Sequence, residues 1–173
     1  MDNLQLSQSG SFVFASAGLA TSTSGTSVKT TNAVTYTVDG QWYSFAATDN
    51  IPFSTQYTSQ TYNPTPPSIP ANSTCLVGVF IDSNSVVTFV QGKAVSTIDL
   101  VNGVAPLQFP ANTDAGSPVA GKPRGRACLG FVRIQNAQPG NATFVFGTTP
   151  LAATGVTVSF INTASAPGEP LRS

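Results

Sequence analysis

The run Val34-Thr35-Tyr36-Thr37-Val38-Asp39-Gly40-Gln41-Trp42-Tyr43-Ser44-Phe45 admits few structures. Val34, Tyr36 and Val38 alternate with threonines at the period of two that places apolar groups on one face of a strand. Asp39 and Gly40 then supply two consecutive residues that tolerate positive φ, as a two-residue hairpin turn demands, and Trp42 to Phe45 resume a strand-forming run. A β-hairpin satisfies this pattern and a helix does not.

The same alternation of short apolar runs with turn residues recurs downstream. Residues 75–81 and 86–90 predict a second hairpin around Asp82-Ser83-Asn84-Ser85. Apolar side chains on both faces of its first strand suit a strand in the middle of a sandwich. Residues 127–135 and 142–146 predict a third hairpin around the turn at 136–141, and 156–162 a last strand. Residues 94–104 have room for one short helical turn, as do 149–155, where Pro150 fits a first-turn position and Gly155 a stop. Between the first two hairpins, residues 48–73 hold Pro52, Pro64, Pro66, Pro67 and Pro70, which predicts a long surface loop packed through Phe53, Tyr57 and Tyr62 on the domain or on a partner. The expected organisation is an extended N-terminal arm over 1–26, a single all-β domain over 27–163 with its Pro-rich loop at 48–73, and a loose tail over 164–173. The expected fold is an antiparallel β-sandwich or a jelly-roll-like barrel with very little helix.

Composition narrows the chemistry. Seven Lys plus Arg balance seven Asp plus Glu, charged residues are only 8% of the chain, and histidine is absent. Without histidine, Ser-His nucleophilic catalysis and His-ligated zinc are excluded. The hydrophobic fraction of 40%, with 11 Phe, argues against disorder and supplies a core. The acids are scattered singly, and Asp39 and Asp82 sit in turns where a carboxylate can bond nearby backbone amides. No catalytic residue, metal ligand or cofactor site emerges, and no enzymatic activity is expected. No stretch approaches the ~20 apolar residues of a membrane span, and the first residues lack a secretory pattern, so no membrane partner is expected.

Cys75 and Cys128 are expected as buried thiols in apolar strands, a bridge between adjacent strands being the alternative. Four of the seven basic residues, Lys122, Arg124, Arg126 and Arg133, fall within one short stretch. In a neutral chain this predicts a loop that meets a protein partner or solvent, and no nucleic-acid binding. Asn72-Ser73-Thr74 and Asn141-Ala142-Thr143 match the glycosylation triplet but read more simply as turns. Trp42, Tyr43 and Phe45 have the makings of a sugar site, yet on a hairpin that buries one face they are expected in the core. With few charges to protect strand edges, the chain is expected in an assembly.

The order of these segments resembles the small head decoration, or cement, proteins of tailed bacteriophages. The resemblance is carried by Tyr36-Thr37-Val38-Asp39-Gly40-Gln41-Trp42-Tyr43-Ser44, Cys75-Leu76-Val77, Val86-Val87-Thr88-Phe89-Val90-Gln91-Gly92, Gly130-Phe131-Val132-Arg133-Ile134 and Thr143-Phe144-Val145-Phe146-Gly147-Thr148-Thr149-Pro150-Leu151, with the strand at 156–162. It implies a virion protein made in the bacterial host cytoplasm that sits on the outer capsid surface. There it would bind the major capsid protein and itself, as a dimer or trimer, and clamp neighbouring capsomers against internal DNA pressure. A receptor- or glycan-binding module of a phage tail or fibre is the alternative. Phe12, Val13 and Phe14 of the arm, Tyr57 and Tyr62 of the loop, and Arg124 and Arg126 of the basic stretch are the expected interface residues.

Overall fold

The computed structural model describes residues 11–53, 57–58, 68–107 and 126–163. In chain order its strands are β1 (Phe12–Val13), β2 (Leu19–Thr21), β3 (Val28–Thr30), β4 (Val34–Val38), β5 (Gln41–Phe45), β6 (Tyr57–Thr58) and β7 (Ser68–Ile69). They continue with β8 (Ser73–Ile81), β9 (Val87–Gln91), β10 (Val95–Ser96), β11 (Ala127–Asn136), β12 (Phe144–Val145) and β13 (Val156–Asn162). One short helix, α1 (Thr97–Val101), lies in the region where a helical turn is expected, and a 3-10 turn spans Pro139–Asn141.

Two sheets enclose the core. One has the order β1-β4-β5; the other runs β13-β11-β8-β9-β6, with β10 also on β8. The small pairs β2-β3 and β7-β12 complete the described pairing, and only β6 on β9 is parallel. The architecture is all-β, and among the described residues none of the sheets closes on itself, which favours the sandwich over the barrel. Val13, Val34, Tyr36 and Val38 of the first sheet join Val77, Val79, Phe89, Val132 and Ile134 of the second in one buried cluster. Each such side chain contributes about 1.5–3 kcal/mol by leaving water. The Tyr36 hydroxyl also ties the sheets together, donating to the Asp82 carbonyl at 2.9 Å with Ser85 Oγ 3.1 Å away. Burial raises the pKa of that phenol and keeps it protonated.

The turns form as their residues dictate. Asp39 and Gly40 take φ of 50° and 78°, the left-handed pair of a type I′ hairpin. The Asp82 carboxylate accepts from the amides of Asn84 and Val86 at 2.8 and 2.9 Å, so this acid serves its own turn. Asn72 and Asn141 both have positive φ, and their side chains meet at 3.3 Å, which makes the two triplets one turn contact.

Four expectations need correction. The segment from 11 to 26 is no free arm: β1 pairs with β4, while Val13, Ala17 and Leu19 are buried in the core. Residues 1–10 and the tail at 164–173 lie outside the described residues. The described parts of 48–73 are a surface loop only in part: Asp49, Asn50, Pro70 and Asn72 are exposed, and Phe53 packs on the domain as expected. Ile51 bridges Val28, Phe53 is buried with its ring 4.4 Å from Phe89 and 5.1 Å from Phe146, and Ile69 is buried on β12. The third hairpin does not form, because β11 is flanked by β8 and β13 while β12 pairs with β7. Residues 149–155 form turns in place of a helical turn.

The cysteines are free thiols on one ladder. Cys75 faces Ile134 and Cys128 faces Phe80, five positions further along β8, or roughly 17 Å at the rise of a strand. A bridge needs Cα atoms within about 7 Å, so none spans them. The Cys75 thiol donates to the Gly92 carbonyl at 3.1 Å, and burial pushes its pKa from 9.0 up to about 12. Because the folded chain holds this proton longer than the unfolded chain, its contribution to stability is complete below pH 9. It is lost as pH rises through 9 toward 12, by up to about 1.4 kcal/mol per pH unit. Chemical denaturation of the wild type and of Cys75→Ala between pH 8 and 11 checks this: the wild type should lose the more stability over that range. A thiol reagent at pH 8 should reach Cys75 only as the chain unfolds.

Candidate functional site

The hairpin register decides which side chains reach solvent. A two-residue turn sets Val38 opposite Gln41, so Trp42 must stand opposite Thr37 and share its face, while Tyr43 stands opposite Tyr36 on the other. Tyr43 and Phe45 pack against the core as expected. Trp42 does not; it is 63% exposed. The signal lay in the threonines: Thr35 and Thr37 mark the outer face of β4, and Trp42 belongs to their row.

β1 completes that face. Phe12 pairs with Thr37, and the Phe14 amide donates to the Thr35 carbonyl at 3.0 Å. Strand alternation then sends Phe12 and Phe14 outward and Val13 inward. The Asp39 amide donates to Ser11 Oγ at 3.1 Å, fastening the start of β1 to the hairpin tip. The Phe14 and Trp42 rings stack with centroids 4.3 Å apart and planes within 6°, and Phe12 meets Phe14 edge-on at 4.8 Å. Each aromatic pair adds about 0.5–1.5 kcal/mol beyond its buried area. Beneath the rings Thr37 is almost fully covered. No charged residue occurs in β1, β4 or β5.

Of the expected interface residues, the structure brings together Phe12 and Phe14. Val13 is corrected: fully buried, it belongs to this chain's own core. Arg126 is corrected too, being buried immediately before β11 and engaged within the chain. Tyr57 lies in β6, where its backbone pairs with Phe89. Tyr62 and Arg124 lie outside the described residues.

Other chemistry is sparse. Among the described residues no group of three or more His, Cys, Asp or Glu side chains converges on a metal site. Thr23 donates through its hydroxyl and its amide to the Asp49 carboxylate, and these bonds, the hydroxyl first, lower the pKa of this exposed acid. That arrangement closes the loop of the β2-β3 hairpin against the segment that follows β5. Ile98, Val101 and Val104 form a second exposed apolar group around α1. No described helix is long and apolar enough to cross a membrane. No protein-family model, curated protein or solved structure matches the chain.

Proposed function

We propose that this chain is a structural virion protein that binds the outer surface of a phage capsid through its aromatic cluster and cements neighbouring capsomers. The stacked Phe14 and Trp42 pair carries the reading. A large, charge-free aromatic surface held rigid on a paired sheet loses little side-chain entropy when covered, and tryptophan is the side chain most enriched at the centres of protein interfaces. The neutral chain adds no long-range repulsion toward a charged shell. A clamp made of several such contacts gains avidity well beyond any one of them.

The test mixes purified protein with undecorated heads, followed by imaging and by heating of the heads. Wild-type protein should bind and raise the temperature at which the heads open. Trp42→Ala should weaken binding by at least about tenfold, as loss of a hot-spot side chain does. Its thermal midpoint should fall by no more than a few degrees, the share of the lost stack on Phe14, because the ring is already mostly in water. Absence of head binding by the wild type overturns the proposal.

One observation favours a second reading, a glycan-binding module of a tail or fibre: the exposed indole of Trp42 offers a flat surface for the apolar face of a sugar ring. Binding of surface polysaccharide, with none to heads, selects it.

A further inference from the structure

Strand β13 closes one end of the larger sheet, and among the described residues it pairs only with β11. Its sequence, Val156-Thr157-Val158-Ser159-Phe160-Ile161-Asn162, carries no charge and no proline, and its register with β11 runs unbroken. Charge, proline and bulge, three of the usual devices that keep an edge from pairing, are therefore missing along its length, and β2 meets it at its far end, where the Asn162 side chain accepts from the Leu19 amide at 2.6 Å.

The phase of the ladder fixes what the edge presents. The Ala137 amide donates to the carbonyl of Gly155, which stands opposite it in the register, at 2.7 Å, and this bond sets the phase of the ladder. Alternation then directs the backbone groups of Thr157, Ser159 and Ile161 toward β11, and those of Val156, Val158, Phe160 and Asn162 outward. The side chains of Val156, Val158 and Phe160 lie on the inner face and pack against the core, yet each remains only half-buried. The core is thus left unfinished along this edge. Of the other sheet ends among the described residues, β1 and β6 are only two residues long, and β5 is shorter than β13 and by the same alternation turns only Trp42 and Ser44 outward.

We propose that β13 pairs antiparallel with β13 of a second copy of this chain, across a two-fold axis at Ser159, to make one continuous sheet through the dimer. The strand is self-complementary about its midpoint. Val158 meets Phe160 of the copy and Val156 meets Asn162, so every outward amide and carbonyl finds a partner. No other two-fold register does this. On the inner face each Phe160 lands beside a β-branched valine, a favourable cross-strand pair, and covers the half-exposed row. The copies are uncharged along the described strand and the chain has no net charge, so no like-charge repulsion arises along the contact. The contact is an isologous one and closes on itself. It supplies the contact for the self-association that the capsid resemblance leaves open between dimer and trimer, and its test is separate from the capsid reading, because the dimer forms in solution with no shell present.

Exposed Ser159 provides the test, since its Cβ would sit about 4.5–5.5 Å from its symmetry mate. Sedimentation of the wild type should give twice the chain mass. Ser159→Cys should form a disulfide-linked dimer under mild oxidation. Thr157→Cys should not, because its mate stands four positions away along the ladder, roughly 13 Å. Ser159→Lys places like charges opposite each other and should weaken the dimer by at least about tenfold. Backbone amides of Val158 and Phe160 should exchange slowly in concentrated wild-type solution and quickly on dilution, which reads the contact without any substitution. A monomeric wild type overturns the proposal. So does a dimer in which Thr157→Cys cross-links as readily as Ser159→Cys.

Discussion

Replacing Asn136 with leucine should lower the stability of the fold by about 3–5 kcal/mol. Asn136 is the last residue of β11 and is fully buried. Its amide nitrogen donates to the carbonyls of Ile69, Pro70 and Ala142 at 3.1, 3.2 and 2.9 Å. Its carbonyl oxygen accepts from the Gln138 backbone and side-chain nitrogens at 3.3 and 3.0 Å. One side chain therefore joins the end of β11 to β7 and to the connection that enters β12. Leucine is of similar size but leaves those carbonyls without a donor, and each buried polar group so orphaned costs about 1–3 kcal/mol. For a domain of this size the loss corresponds to a fall of roughly 10 °C in thermal midpoint. Calorimetry of Asn136→Leu beside the exposed turn variant Ser83→Ala measures it, and a fall under 2 °C would contradict the account.

Gly130→Ala should cost about 3 kcal/mol or more, although it adds a single methyl group. Gly130 follows the bulge at which β11 slips register against β8, between Cys128 and Gly130, and its φ is +150°. An L-residue is strained there. A Cβ at this position would also fall on the backbone carbonyl oxygen of Ile161 and within 2.7 Å of Leu19 Cδ1. The leucine has rotamers to try, whereas the carbonyl belongs to the β11-β13 ladder and can yield only if the strands part. Urea denaturation should show the loss as a lower midpoint with an unchanged slope. The same variant should also loosen β13, and faster amide exchange in that strand than in β4 would locate the damage.

The sequence reading succeeded where local chemistry decides. Asp39-Gly40 fixed the β4-β5 hairpin and its register, and Asp82-Ser83-Asn84-Ser85 fixed the turn between β8 and β9. The apolar character of 75–81 on both faces matches a strand that is buried throughout. It failed where pairing is non-local. Nothing in 142–146 distinguishes a partner next door in sequence from β7, and the choice is made by Asn136, whose bonds hold β7 and β12 side by side. Residues 11–26 read as an arm because no apolar period persists from Ala17 to Ser27, yet Val13, Ala17 and Leu19 each reach the core singly. The exposed Trp42 was legible in principle, since the turn sets its register against Thr37. The general expectation that aromatic residues of a hairpin pack inward concealed it.

The bond from the Tyr36 hydroxyl to the turn between β8 and β9 has a mechanical meaning. β4 holds the aromatic cluster's row on its outer face and Tyr36 on its inner face, one residue away from Thr37. Tension applied at Trp42 or Phe14 is therefore handed through β4 to the second sheet at Asp82 and Ser85, and does not have to be borne by β1, β4 and β5 alone. Such a strut turns a three-stranded sheet that would peel from its edge into one that yields only when both layers slide together.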